Sequence, residues 1–215
     1  MSMFTGENLT SIRNGRIVFE DLSFSVTSGE ILALTGPNGT GKTSLLRIMG
    51  GLLDYAGGGM SWDGAALKNA PPCHWLGSEN PLKPKLSVWD NLSFWYECYT
   101  VFDDQKAAHN KEQAIIDSLE KMAIAPLKDT PVRYLSTGQR RRANLARLFL
   151  QYRPLWLLDE PATGLDAETK DALFLCLQGH KNEGGISVIA THRPEMWQAD
   201  QMLDMGALQG AREAA

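Results

Sequence analysis

The sequence predicts an α/β fold, a mostly parallel sheet flanked by helices with a helical subdomain inserted into it. Three observations predict it. Short apolar runs, each long enough for one buried strand, alternate with helix-spaced stretches over much of the chain. One of those runs ends in a glycine-rich loop that opens a helix. Residues 86–122 carry two successive helical patterns with little strand signal, set between halves of α/β character. At 215 residues, 43% hydrophobic and 21% charged, the chain can bury one core with a small subdomain. We therefore expect a single domain over 1–215, with about 1–80 and 150–215 as core and about 82–150 as the helical part.

Taken in order, "MSMFTGENLTSIRNG" lacks the apolar centre of a signal peptide. "RIVFEDLSFSV" (16–26) alternates apolar and polar residues as a half-exposed strand does. "EILALTG" (30–36) is a short apolar run closed by glycine, and "KTSLLRIMGGLL" after it has helical spacing. "GGMSWDG" (58–64) reads as a strand entering an Asp-Gly turn. Cys73-His74 reads as a strand start. "LSVWDNLSFWYECYTVF" and "DDQKAAHNKEQAIIDSLEKM" are the two inserted helices. "PLWLLDE" (154–160) and "GISVIATH" (185–192) are buried strands flanked by helical stretches. No repeat or low-complexity segment interrupts the pattern.

A net charge of −4 and a pI near 5.6 give no general field for a polyanion, so no nucleic-acid partner is expected. Arg140, Arg141 and Arg142 open a helix and are expected to form a solvated face. Cys73, Cys98 and Cys176 are odd in number and fit no metal spacing, which suits a reducing compartment. No stretch reaches the roughly 18 consecutive apolar residues of a membrane span, so a soluble chain is expected, one that acts at membranes only through other proteins. Val88, Trp89, Leu92, Trp95, Tyr96 and Tyr99 share a helical face and are expected mainly as core, with an exposed Trp89 or Trp95 suited to a docking groove.

The chemistry begins at "GPNGTGKT" (36–43), which fits Gly-x-x-x-x-Gly-Lys-Thr between a strand and a helix. Its glycines let backbone N–H groups aim at phosphate oxygens, and the helix start adds positive potential. The candidate ATP contacts are Gly36, Pro37, Asn38, Gly39, Thr40, Gly41, Lys42, Thr43 and Ser44. Lys42 would neutralise the β and γ phosphates and counts among the catalytic candidates, and the Thr43 hydroxyl would hold Mg²⁺. Asp159 ends the run "LWLLD" and can reach the Mg²⁺ shell from a neighbouring strand end. Glu160 beside it would act on the attacking water. His192 ends a further strand and would touch the γ phosphate.

The phosphate loop, "LSTGQ" (135–139), "LLDEP", "TGLD" and "ATH" stand in the order and spacing of ATP-binding-cassette ATPases, which the chain resembles over nearly its whole length. The resemblance implies a P-loop core with an N-terminal antiparallel β portion and a helical subdomain carrying the "LSTGQ" signature. It implies a head-to-tail homodimer in the ATP-bound state. Ser136, Gly138 and Gln139 would then serve the partner's ATP, and Asp166 would bridge the protomers. "FEDLSFSV", "WLGSENPLKPKLSVWDNLSFW" and "LSTGQRRRANLARL" further resemble the haem-exporter ATP-binding subunits of cytochrome c maturation. That implies integral-membrane partner subunits and a peripheral place on the cytoplasmic face of a bacterial inner membrane. Other readings are an ABC ATPase serving another cargo, a soluble repair or translation ATPase, and a nucleotide switch with little hydrolysis.

Two positions depart from the family pattern. Glu79 falls where the family places a glutamine that touches Mg²⁺ and water. As a carboxylate it can still ligate the metal, but it cannot donate a hydrogen bond. Residues 5–18 hold no aromatic to stack on the adenine. Either Arg13 or Arg16 stacks its guanidinium there, or the base is loosely held.

Overall fold

The chain opens with an antiparallel hairpin, β1 (Met3–Arg13) and β2 (Arg16–Thr27). Asn14 and Gly15 both take positive φ, 49° and 74°, the two-residue turn whose twist matches the strands. A computed structural model of the chain describes residues 1–77, 79–101 and 110–207. Strand β2 coincides with the alternating run expected there, whereas β1 was not foreseen. Its pairing with β2 slips between Gly6 and Leu9, again before Ser11 and again before Ile12. Such bulges erase the alternation by which a strand is recognised in sequence.

Two compact units follow from the packing. The first holds the described residues of Met1–Ser78, Arg153–Pro161 and Cys176–Ala215. It contains β1 and β2, β3 (Ile31–Thr35), the helix α1 (Lys42–Met49), β4 (Gly57–Trp62), β5 (Ala65–Ala66) and β6 (Cys73–Leu76). It also holds β7 (Leu155–Asp159), β8 (Ile186–Ala190) and β9 (Gln201–Asp204). One sheet is antiparallel in the order β2-β1-β4-β5, and Asp63-Gly64 makes its second tight turn, with φ of 52° and 76°. The other is parallel in the order β6-β7-β8-β3-β9. The strand start expected at Cys73 is β6. The short edge strand β9 was not foreseen, for four residues carry too little pattern.

The core of this unit packs Phe4, Leu9, Phe19 and Leu22 from the hairpin with Leu34, Leu45, Leu46, Leu157 and Val188. Strands β7 and β8 are buried along their whole length, which is why they read as unbroken apolar runs. Register sets the site. Ala190 pairs with both Leu34 and Asp159, so β3, β7 and β8 end level, and the residues after them emerge at one carboxyl edge.

The second unit holds the described residues of Glu79–Tyr152 and Ala162–Leu175. Its helices are α2 (Val88–Val101), α3 (Lys111–Lys121) and α4 (Thr137–Ala146), and α5 (Ala167–Asn182) starts within it. The start of the second expected helical pattern, 103–109, lies outside the described residues. Val88, Leu92, Tyr96, Ile115, Leu119, Met122, Leu135 and Leu145 are buried. The aromatic stripe is corrected in one respect. Neither Trp89 nor Trp95 is exposed. Lys128 lies 5.8 Å from the Trp89 ring and Arg147 lies 3.7 Å from that of Trp95, while Phe94 is the exposed ring of the helix, at 51%.

Candidate functional site

In the first unit, the loop between β3 and α1 wraps on glycines at which any side chain would be strained. Gly36 has φ of 121°, and a Cβ there would stand 2.8 Å from the Gly206 nitrogen. Gly41 has φ of 98°, and its Cβ would stand 2.7 Å from Val18 Cγ1. Gly41 precedes α1, no side chain caps that helix, and no acidic residue lies in its first turn. The positive end of α1 therefore faces out of the loop uncompensated. Lys42 is buried, and its Nζ donates to the carbonyls of Gly36 and Pro37 at 2.7 and 2.8 Å. It forms no ion pair among the described residues, so its ammonium rests on weak acceptors that phosphate oxygens can replace. Thr40 is buried and its hydroxyl donates to the Pro37 carbonyl at 3.0 Å. Pro37, Asn38 and Gly39 are exposed, and Ser44 is half-buried.

Thr43 Oγ1 donates to Asp159 Oδ2 at 2.8 Å. These are neighbouring hard oxygen donors, one neutral and one a carboxylate, and their chemistry fits Mg²⁺. Glu160 follows, its N–H bonded to the Ala190 carbonyl at 3.0 Å and its φ at 47°. A non-glycine residue in that region is held there by its surroundings. Burial pushes the Glu160 carboxyl above the usual carboxylate range, the charges of His192 and Lys42 oppose that, and Asp159 adds to it. His192 Nε2 lies 3.3 Å from Glu160 Oε1 and 3.1 Å from Asn38 Oδ1. Lys42, Thr43, Asp159, Glu160 and His192 thus meet at the edge that the register of β3, β7 and β8 defines.

The second unit gathers the signature residues. Ser136 caps α4: its Oγ accepts from the Gln139 N–H at 3.2 Å, and Gln139 Oε1 accepts from the Ser136 N–H at 2.9 Å. That is a full capping box. A Cβ on Gly138 would stand 3.7 Å from Asp166 Oδ2, so the signature helix and Asp166 are close neighbours. Asp166 accepts from the Thr169 N–H at 2.8 Å. The Thr169 bonds, with Arg142 behind them, hold its carboxyl below the usual range. Glu79 also belongs to this unit and is exposed.

Arg142 is a hub of this cluster that local sequence does not reveal. Its side chain is only 15% exposed. Nε donates to Thr169 Oγ1 at 2.6 Å, and Nη2 reaches Asp166 at 3.3 Å and Glu168 at 3.0 Å. It ties the start of α4 to the segment that carries Asp166. Arg141 is half-buried as well, and burial lowers its affinity for its proton. The triplet is therefore not a solvated face; only Arg140 is exposed. Partners some 27 residues away leave no trace in a local charge pattern.

The fold and both clusters define an ATP-binding cassette, and the chain belongs to the ABC transporter family, whose model it matches over residues 19–163. Its relatives narrow the class. It is 42% identical over 196 residues to the cytochrome c biogenesis ATP-binding export protein CcmA of Paramagnetospirillum magneticum, covering 89% of this chain and 88% of that one. It is 40% identical over 204 residues to the CcmA of a Chelativorans species, covering 94% and 96%. Among solved structures it resembles a putative ABC transporter ATP-binding protein from Pyrococcus furiosus, with a TM-score of 0.81 and 24% identity over 96% of this chain and 98% of that one. An ATP-binding cassette of an ABC transporter in its ADP conformation superposes with a TM-score of 0.78 at 20% identity, covering 96% and 89%. The parallel sheet, the antiparallel N-terminal sheet and the helical unit agree with the fold expected from the sequence.

Proposed function

We propose that this chain is the ATP-hydrolysing subunit of an ABC transporter of the cytochrome c biogenesis type, coupled to haem export. The observation that supports this best is the cluster of Lys42, Thr43, Asp159, Glu160 and His192 at one strand edge, in a chain so similar to those biogenesis proteins. ATP enters with its phosphates in the loop, and Lys42 exchanges the Gly36 and Pro37 carbonyls for phosphate oxygens. Thr43 and Asp159 would hold Mg²⁺, which offsets phosphate charge when bound. Glu160 orients the attacking water and takes its proton while the bond to the γ phosphorus breaks and ADP leaves. Burial raises its proton affinity, as suits a base, and the charges of His192 and Lys42 oppose that shift. His192 donates to the γ phosphate.

We read residues 1–215 as one ATPase domain that works as a homodimer, in which Ser136, Gly138, Gln139 and Asp166 serve the nucleotide held by the second copy. Among the described residues no helix is long and apolar enough to cross a membrane, so the proposed transport path belongs to integral-membrane partners. The chain would sit on them peripherally, at the cytoplasmic face of an inner membrane. The test is turnover per chain against protein concentration. It should rise as dimers form, and Glu160→Gln with ATP should sediment as a dimer. Turnover independent of concentration, from particles that stay monomeric, ends the dimer reading. Loss of membrane co-purification without integral subunits tests the transport reading.

A second reading rests on Glu79, an exposed carboxylate in the family's glutamine slot. If it takes the role of that glutamine, its negative charge would make hydrolysis by the isolated chain slow or strongly Mg²⁺-dependent. Glu79→Gln should then raise turnover and change its Mg²⁺ dependence; unchanged values for both remove the idea.

A further inference from the structure

We propose that the Asn38 side chain is a built-in stand-in for the terminal phosphate of ATP and sets how sharply this chain distinguishes ATP from ADP. The inference rests on the reading that His192 meets the γ phosphate. His192 Nε2 lies 3.1 Å from Asn38 Oδ1 and 3.3 Å from Glu160 Oε1. With a carboxylate oxygen beside it, that nitrogen carries the proton and donates, and the Asn38 amide oxygen is its nearer acceptor. Asn38 is exposed and sits on the phosphate loop itself, between Pro37 and Gly39. The imidazole is 49% exposed, and among the described residues the polar contacts of its Nε2 are this bond and the carboxylate.

One N–H cannot serve the amide and a phosphate oxygen equally. When ATP arrives, a charged oxygen replaces a neutral one, because charge-assisted bonds are the stronger. ADP brings no γ oxygen, and the Asn38–His192 bond stays closed. The bond therefore stabilises the nucleotide-free and ADP-bound chain but not the ATP-bound one, and a ligand shifts an equilibrium only by such a difference. Removing the amide tightens ATP relative to ADP by the net worth of one neutral hydrogen bond, about two- to tenfold. A carboxylate at the same place does the reverse: it binds the imidazole more firmly and repels the γ phosphate.

The experiment measures equilibrium binding of ADP and of the β,γ-imido analogue of ATP to the full chain, by displacement of a fluorescent nucleotide. Asn38→Ala is expected to tighten the analogue relative to ADP by about two- to tenfold. Asn38→Asp is expected to weaken the analogue selectively. A merely structural role for Asn38 does not give opposite signs for the two variants. In a His192→Ala background, Asn38→Ala should no longer alter the ratio. Equal changes in both affinities, or a selective effect that survives His192→Ala, overturn the inference while leaving the reading of His192 intact. If His192→Ala itself leaves the ratio unchanged, His192 does not meet the γ phosphate, and both fall.

Discussion

Two helices in this chain start at a candidate phosphate site, and they start differently. Helix α1 follows Gly41, takes no side-chain cap and has no acid in its first turn. Helix α4 is closed by Ser136 and Gln139, each bonded to the other's backbone. The cations differ in the same sense. Lys42 rests on two carbonyls, whereas Arg142 is committed to Asp166, Glu168 and Thr169. The first site is electrostatically unfinished, and an anion completes it. The second is already satisfied, so it has little to gain from an anion alone. On the proposed reading, the open site would load nucleotide unaided, and the closed one would engage only nucleotide held by the second copy.

The comparison can be broken most sharply at Glu160. Glu160→Gln keeps the shape and loses the base, so turnover should fall by about 10²–10⁴-fold with nucleotide binding retained. A variant that turns over normally would mean that the edge where β3, β7 and β8 end is not where chemistry happens. Lys42→Ala should weaken ATP binding by on the order of a hundredfold or more, since it removes a buried cation held only by carbonyls. Binding that survives unchanged would show that the open helix start suffices. Ser136→Asp probes the closed site. Aspartate caps a helix as well as serine does, so thermal stability should hold. Turnover should drop by on the order of a hundredfold, because a carboxylate there repels a partner's phosphate. Full activity would reduce Ser136 to a cap.

These sites were unequally legible. The open one was read from its letters, because close backbone wrapping demands glycine and the strand–loop–helix context is contiguous. Asp159, Glu160 and His192 could be placed because buried parallel strands are unbroken apolar runs whose ends are easily found. The closed site was legible only as a motif by resemblance. Its hub, Arg142, bonds to residues more than twenty positions away, and local spacing cannot show that. The Asn38–His192 contact spans 154 positions and was invisible for the same reason. Bulges hid β1. Trp89 and Trp95, expected mainly as core, stayed open as docking residues because the lysine and arginine beside their rings come from distant segments.

Acid separates the two units by a smaller effect. His180, in the first unit, is buried, stacked on Trp156 at 4.2 Å, and bonded through both ring nitrogens to Ser187 and the Arg153 carbonyl. The carbonyl takes the Nε2 proton, so Nδ1 accepts from the serine, and a second proton has no place. Burial pushes its pKa down to about 4 from an ordinary 6.5, with the bond to Arg153 opposing. Between those values the unfolded chain binds a proton that the folded chain refuses, so stability falls as pH drops below 6.5 and levels off near 4. From pH 7 to pH 5 the loss should be about 2 kcal/mol. The second unit has no such liability at Asp166, whose carboxyl is held below its ordinary range and stays ionised until more acid conditions. Urea unfolding at pH 7 and pH 5 should show the native chain losing about 2 kcal/mol more than His180→Gln, which cannot titrate. Equal losses in the two would mean that the imidazole finds its proton in the folded core.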